Sequence, residues 1–147
     1  MNLTGKTVVA VITHDYTRIW TTDMKKGHEP EVVKAQQAVR KAHVREPQHH
    51  GGHETSQYDN SYFEKLSFDL LPADQILLVG HGKGKGNSMM QFLDYVNLKH
   101  PDLAQKVIGT IDENIQGMTE QQILESARIW FSQWFGAPVE YWQANVR

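Results

Sequence analysis

Two glycine-rich stretches hold the residue types that could do chemistry. The first, His49-His50-Gly51-Gly52-His53, sets three imidazoles around a glycine pair. Imidazole binds zinc or nickel, and the spacings His50/His53 and His49/His53 could gather two ligands onto one ion. A structural zinc site wants four fixed ligands and a supporting shell. A glycine pair works against that rigidity, and the chain has no cysteine. His49, His50 and His53 are thus an incomplete metal set. The glycines offer a different chemistry. Gly51 and Gly52 can adopt conformations closed to other residues and let the backbone approach a ligand closely. The N–H of the residue that follows can then stabilise developing negative charge or orient a water. On this reading Gly51, Gly52 and His53 are the catalytic candidates, and Arg40, Lys41 and Arg45 just upstream steer the segment toward phosphates.

The second stretch, Gly80-His81-Gly82-Lys83-Gly84-Lys85-Gly86-Asn87, lies between an apolar strand and a helix start. Unpaired N–H groups and the helix dipole favour anions at such a place, and Lys83 and Lys85 add positive charge. The spacing matches neither the nucleotide-binding G-x-x-x-x-G-K-[ST] loop nor the dinucleotide G-x-G-x-x-G turn. No nucleotide cofactor is expected. The functional reading is contact with an RNA phosphate backbone; the bland one is a flexible turn with solvated lysines. Asp15, Asp23, Asp74 and Asp112 stand near expected strand ends, which raises a two-metal nuclease of the ribonuclease H type. The first strand carries no central Asp, however, and fold alone does not give function. No G-x-S-x-G elbow marks a serine nucleophile.

The elements that must position these residues follow from periodicity. Val8–Ile12 is a short β-branched run and reads as a buried strand. Residues 18–23 follow closely enough to make a hairpin, and Val32–Ala35 is a third short strand. Residues 39–57 are basic, glycine-bearing and poor in apolar residues, so they read as an exposed, mobile loop. Tyr58, Tyr62, Phe63, Leu66 and Leu70 recur at helical spacing, which predicts a helix over 59–71 that Pro72 ends. Ile76–Val79 reads as a strand covered on both faces, and a helix over 88–99 can be capped by Asn87 or Ser88. Lys106–Asp112 reads as another buried strand. The last helix opens on a Thr119/Gln122 capping box, turns Ile123, Ala127, Trp130, Phe131 and Trp134 to one side, and stops at Gly136 and Pro138. Trp142 is the tryptophan expected to be exposed.

The chain has 147 residues, 39% hydrophobic and 22% charged, which suits one folded domain spanning 1–147. A net charge of −2 announces no nucleic-acid binder, so any basic surface must come from local clusters. The absence of cysteine excludes disulfides and thiolate metal sites and fits a reducing cytoplasm. No apolar run is long enough to span a membrane. The element order predicts a single-domain α/β sandwich with a mixed sheet, antiparallel at its start and parallel at its end, of ribonuclease-H-like type.

That order, the Gly-Gly pair before a helix and the strand-plus-glycine turn Ile76–Asn87 resemble the middle domain of the archaeal and eukaryotic class-I translation release factors and Pelota. They are similar above all to the compact bacterial–archaeal release-factor-like families labelled translational machinery proteins. The resemblance covers roughly residues 7–135. It implies a cytoplasmic factor that binds ribosome or tRNA, with Arg40, Lys41, Arg45, Lys83 and Lys85 on phosphates and no cofactor. In the release factors a Gly-Gly-Gln tip promotes hydrolysis of the peptidyl-tRNA ester; Gly51 and Gly52 match its glycines. His53 stands where the glutamine would be, so the backbone N–H is kept and the amide is lost. A non-enzymatic interaction or attachment module on the same fold is the alternative. The sequence names no oligomeric state.

Overall fold

The structure is a computed structural model. It describes residues 2–21, 31–34, 52–81 and 87–136, and for 31–34, 52–59 and 135 the backbone alone. Five strands form one sheet in the order β3-β2-β1-β4-β5. They are β1 (Thr7–Ile12), β2 (Tyr16–Thr21), β3 (Glu31–Lys34), β4 (Gln75–Gly80) and β5 (Val107–Asp112). β1, β2 and β3 pair antiparallel, while β1, β4 and β5 run parallel. The mixed α/β sandwich expected from the sequence is the fold found. The hairpin is tight because Thr13 organises it: its Oγ1 accepts from the N–H of Asp15 at 3.2 Å and of Tyr16 at 3.1 Å.

The sheet is covered on both faces. Helices α1 (Gly52–Leu70) and α2 (Ser88–Lys99) lie on one face. There Tyr62, Phe63, Leu66 and Leu70 of α1 and Met89, Phe92 and Val96 of α2 pack with Val8, Ala10, Ile12, Ile76 and Leu78. Helix α4 (Glu120–Phe135) covers the other face, with Ile123, Ala127 and Phe131 against Val9, Val11, Leu77 and Val79. Strand residues of alternate parity serve the two layers, which is why β1 and β4 read as continuous apolar runs. A short helix α3 (Pro101–Ala104) joins α2 to β5.

Three expectations are corrected. The helix expected from 59 starts at Gly52, so residues 52–57 are helical rather than loop. Residues 52–57 contain no apolar side chain, so no stripe betrays the first turns of α1. Among the described residues β5 is the sheet edge, and it is only half-buried, not a strand covered on both sides. On α4, Trp134 is 50% exposed rather than core. Trp142 lies outside the described residues.

Candidate functional site

The carboxyl ends of the parallel strands β1, β4 and β5 form one rim of the sheet, where α/β folds place their ligands. Helices α1, α2 and α4 all begin on this side, because each returns the chain from it. α4 is tied there by Arg18, which donates to Glu120 at 3.3 Å. For α1 the level is fixed by Tyr62, whose hydroxyl shares a 2.5 Å hydrogen bond with Thr17 and donates to the Thr13 carbonyl at 3.2 Å. Thr13 directly follows β1. Gly52 lies ten residues before Tyr62, which is about 15 Å of helix at 1.5 Å per residue. Gly52 and His53 are the first two residues of α1.

The glycine–lysine stretch is held at both ends. Gly80 closes β4, and a Cβ there would come within 2.5 Å of the Met89 Cβ, so only glycine allows α2 to start this close to the strand. Asn87, buried at 1% exposure, caps α2: its Oδ1 accepts from the Met90 N–H at 3.2 Å, as expected from the sequence. Its amide donates to Asp112 Oδ2 at 3.5 Å. His81 Nδ1 stands 3.8 Å from Asp112 Oδ1, and the Glu113 N–H donates to the Gly80 carbonyl at 3.0 Å. Thus the ends of β4 and β5 and the start of α2 are fixed to one another around the segment that carries Lys83 and Lys85.

A further pair was not singled out from the sequence. Ser88 Oγ lies 2.9 Å from His14 Nδ1, joining the turn after β1 to the first turn of α2. The signal that could have found it is position alone: His14, His81 and Asp112 each stand at or just beyond the carboxyl end of a parallel strand.

Of the candidates raised earlier, Gly52 and His53 are placed at the start of α1. Arg40, Lys41, Arg45, His49, His50, Gly51, Lys83 and Lys85 lie outside the described residues, as does Asp23. Of the described carboxylates in the nuclease reading, Asp74 stands apart from Asp15 and Asp112. Asp74 precedes β4 at the amino end of the strands, where its N–H donates to the Lys6 carbonyl at 2.8 Å, while Asp112 is at the opposite rim. Among the described residues no group of three or more His, Asp or Glu is arranged to hold a metal ion.

Helices α1 and α2 are joined at the surface by a second polar cluster. Glu64 Oε1 accepts from the Tyr95 hydroxyl at 2.5 Å and lies 2.8 Å from His100 Nε2. The Tyr95 hydrogen bond, then that of His100, holds the Glu64 carboxyl below its usual range. Burial, reinforced by the Glu64 carboxylate, pushes the Tyr95 phenol up to about 12.

No family model matches the chain, and no curated protein matches it in sequence. Among solved structures it is similar to Pelota from Archaeoglobus fulgidus, with 13% identity and a TM-score of 0.51. The likeness covers 85% of this chain and 31% of that one, so the chain spans about a third of that protein's length. At this identity the likeness is one of fold alone. Among the described residues no helix is long and apolar enough to cross a membrane.

Proposed function

We propose that the protein associates with the ribosome or tRNA and that Gly51, Gly52 and His53 form a tip that promotes hydrolysis of the peptidyl-tRNA ester. The observation that carries this reading is the start of α1. It lies about 15 Å of helix before Tyr62 and bears Gly52 and His53 in its first turn. The first four N–H groups of an α-helix have no acceptor within the helix. Gly51 and Gly52, having no side chains, cannot cap them. The N–H of His53 is then available to an ester oxygen that gains negative charge as water attacks the carbonyl. The imidazole of His53, where the release factors have glutamine, serves as a general base for that water. Arg40, Lys41 and Arg45 precede the tip, and Lys83 and Lys85 lie in the segment anchored at the same rim. These five bind RNA phosphates. The Pelota-like fold supports the assignment to translation.

One specific observation favours the non-enzymatic alternative, in which the domain binds without catalysis: His53 lacks the amide of the release-factor tip. Two measurements separate the readings. Purified protein should sediment with ribosomes at low salt and be released at high salt. With five phosphate contacts the affinity falls by about 10²-fold between roughly 50 and 200 mM salt. Failure to sediment at low salt refutes association. Peptide release from loaded ribosomes should drop about 10²-fold in Gly52→Ala. Binding with no release above background by the unaltered protein selects the binding module.

A further inference from the structure

We infer that β5 is a dimerisation edge, on which a second copy of this chain pairs its own β5 antiparallel about a two-fold axis perpendicular to the sheet. Among the described residues β5 pairs only with β4. It contains no proline or lysine, both guards of a free edge, and its one irregularity, the register shift that skips Ile108 against β4, lies before the Gly109–Asp112 run. Thr110 and Asp112 are exposed on the face that carries α2.

The chain's own continuation is a poor occupant. α4 runs antiparallel to β5: Ser126 donates to Glu113 at 3.0 Å, and four residues later Trp130 lies over Gly109. The chain therefore leaves α4 near the start of β5, and a strand added there would run parallel to it. The step from β4 to β5 crosses by α2 on one face, whereas this step would cross by α4 on the other. Two steps in one direction over opposite faces have opposite hands, and parallel crossovers are right-handed in about 98% of cases. A second copy meets no such restriction.

The edge is also self-complementary. It begins with Lys106 and ends with Asp112 and Glu113, so antiparallel pairing near Thr110 brings the basic start of each strand toward the acidic end of the other. The same axis sets the two α4 helices side by side. Trp130 and Trp134, stacked at 5.4 Å and 13°, lie on the flank of α4 that overhangs β5. Trp134 would be covered there by its counterpart. A closed two-fold pairing leaves no further β5 edge for open-ended growth.

Sedimentation equilibrium of the full chain across a wide concentration range tests this, with hydrogen exchange of residues 107–112. The unaltered protein should be a dimer whose β5 amides exchange more slowly as concentration rises. Thr110→Lys and Trp134→Ser each alter an exposed residue; both should be monomeric with unchanged circular dichroism. A dimer that survives Thr110→Lys overturns the proposal, as does an unaltered protein that stays monomeric throughout. A monomer with protected β5 amides would assign the edge to residues 137–147 instead.

Discussion

Replacing Gly80 by alanine tests whether close packing of α2 on β4 sets the rim. The added Cβ would sit 2.5 Å from the Met89 Cβ and 3.3 Å from Asn87 Oδ1. Carbon atoms pack at about 3.5–4.0 Å, so the first turn of α2 must retreat by about 1 Å or more. Met89 is buried at 1% exposure and cannot swing away, because the clash is at its Cβ and not at the end of its side chain. Overpacking of this kind costs about 1–3 kcal/mol. At roughly 3–5 °C per kcal/mol for a domain of this size, Tm should fall by about 3–15 °C. Urea unfolding of a double-mutant cycle supplies the sharper measurement. Met89→Gly removes the clashing atom, so Gly80→Ala should cost much less in that background. Met89→Ala keeps the Cβ, and the two changes should add. The reasoning is refuted if Gly80→Ala lies within about 0.5 kcal/mol of the parent, the range of neutral surface changes. It is equally refuted if Met89→Ala rescues as well as Met89→Gly.

Three further outcomes are expected. Gly109→Ala places a methyl group into the Trp130 indole and should destabilise by about 1–3 kcal/mol; Trp130→Leu should remove most of that penalty in the double variant, as urea midpoints will show. Because the folded Glu64 carboxyl titrates below its ordinary value, the stability it contributes is present above the unfolded pKa of about 4.5 and is lost as pH falls through the folded one. The difference in urea midpoint between the parent and Glu64→Gln should thus be largest at neutral pH and vanish in acid; equal differences at both would refute the linkage. Tyr95, pushed up to about 12, should titrate late in an ultraviolet titration, and Glu64→Gln should bring it down. Its contribution is complete below the ordinary value of 10.0 and lost as pH rises through about 12.

What the sequence disclosed, and what it hid, follows from burial. β1 and β4 were legible because Val8–Ile12 and Ile76–Val79 face helices on both sides, and such strands must be apolar throughout. The caps at Asn87 and Thr119 were legible because capping is a local hydrogen-bond problem with few solutions. Periodicity failed where an element leaves the core. Residues 52–57 of α1 contain no apolar side chain, so no helical stripe marks them, and the glycine pair suggests a loop. Val107, Ile108 and Ile111 make β5 read as an interior strand, although Thr110 and Asp112 are exposed at the edge of the described sheet. The His14–Ser88 pair joins residues 74 positions apart and belongs to no spacing motif; the rim brings them together through topology alone. The fold-level likeness to Pelota was legible in the order of elements, even though no sequence match accompanies it.

Two of the helix starts at the rim are closed by side-chain caps. α2 and α4 satisfy their first-turn donors from within. Asn87 Oδ1 accepts from Met90, and Thr119 and Gln122 cap each other's backbone at 3.1 and 2.9 Å. Each cap costs an anion-binding opportunity, because a donor held by a side chain is not offered to a ligand. α1 begins at Gly52, which follows Gly51 in the sequence, and neither residue has a side-chain acceptor to offer. If stability alone governed this position, Ser or Asp in place of Gly51 would improve the helix by a few tenths of a kcal/mol at no functional cost. If the uncapped donors are used, Gly51→Asp should raise Tm slightly, fill the donors with its own carboxylate and repel the negatively charged RNA. Ribosome sedimentation and peptide release measured together on Gly51→Asp decide between these. A variant that is more stable and fully active would remove the α1 start from the mechanism.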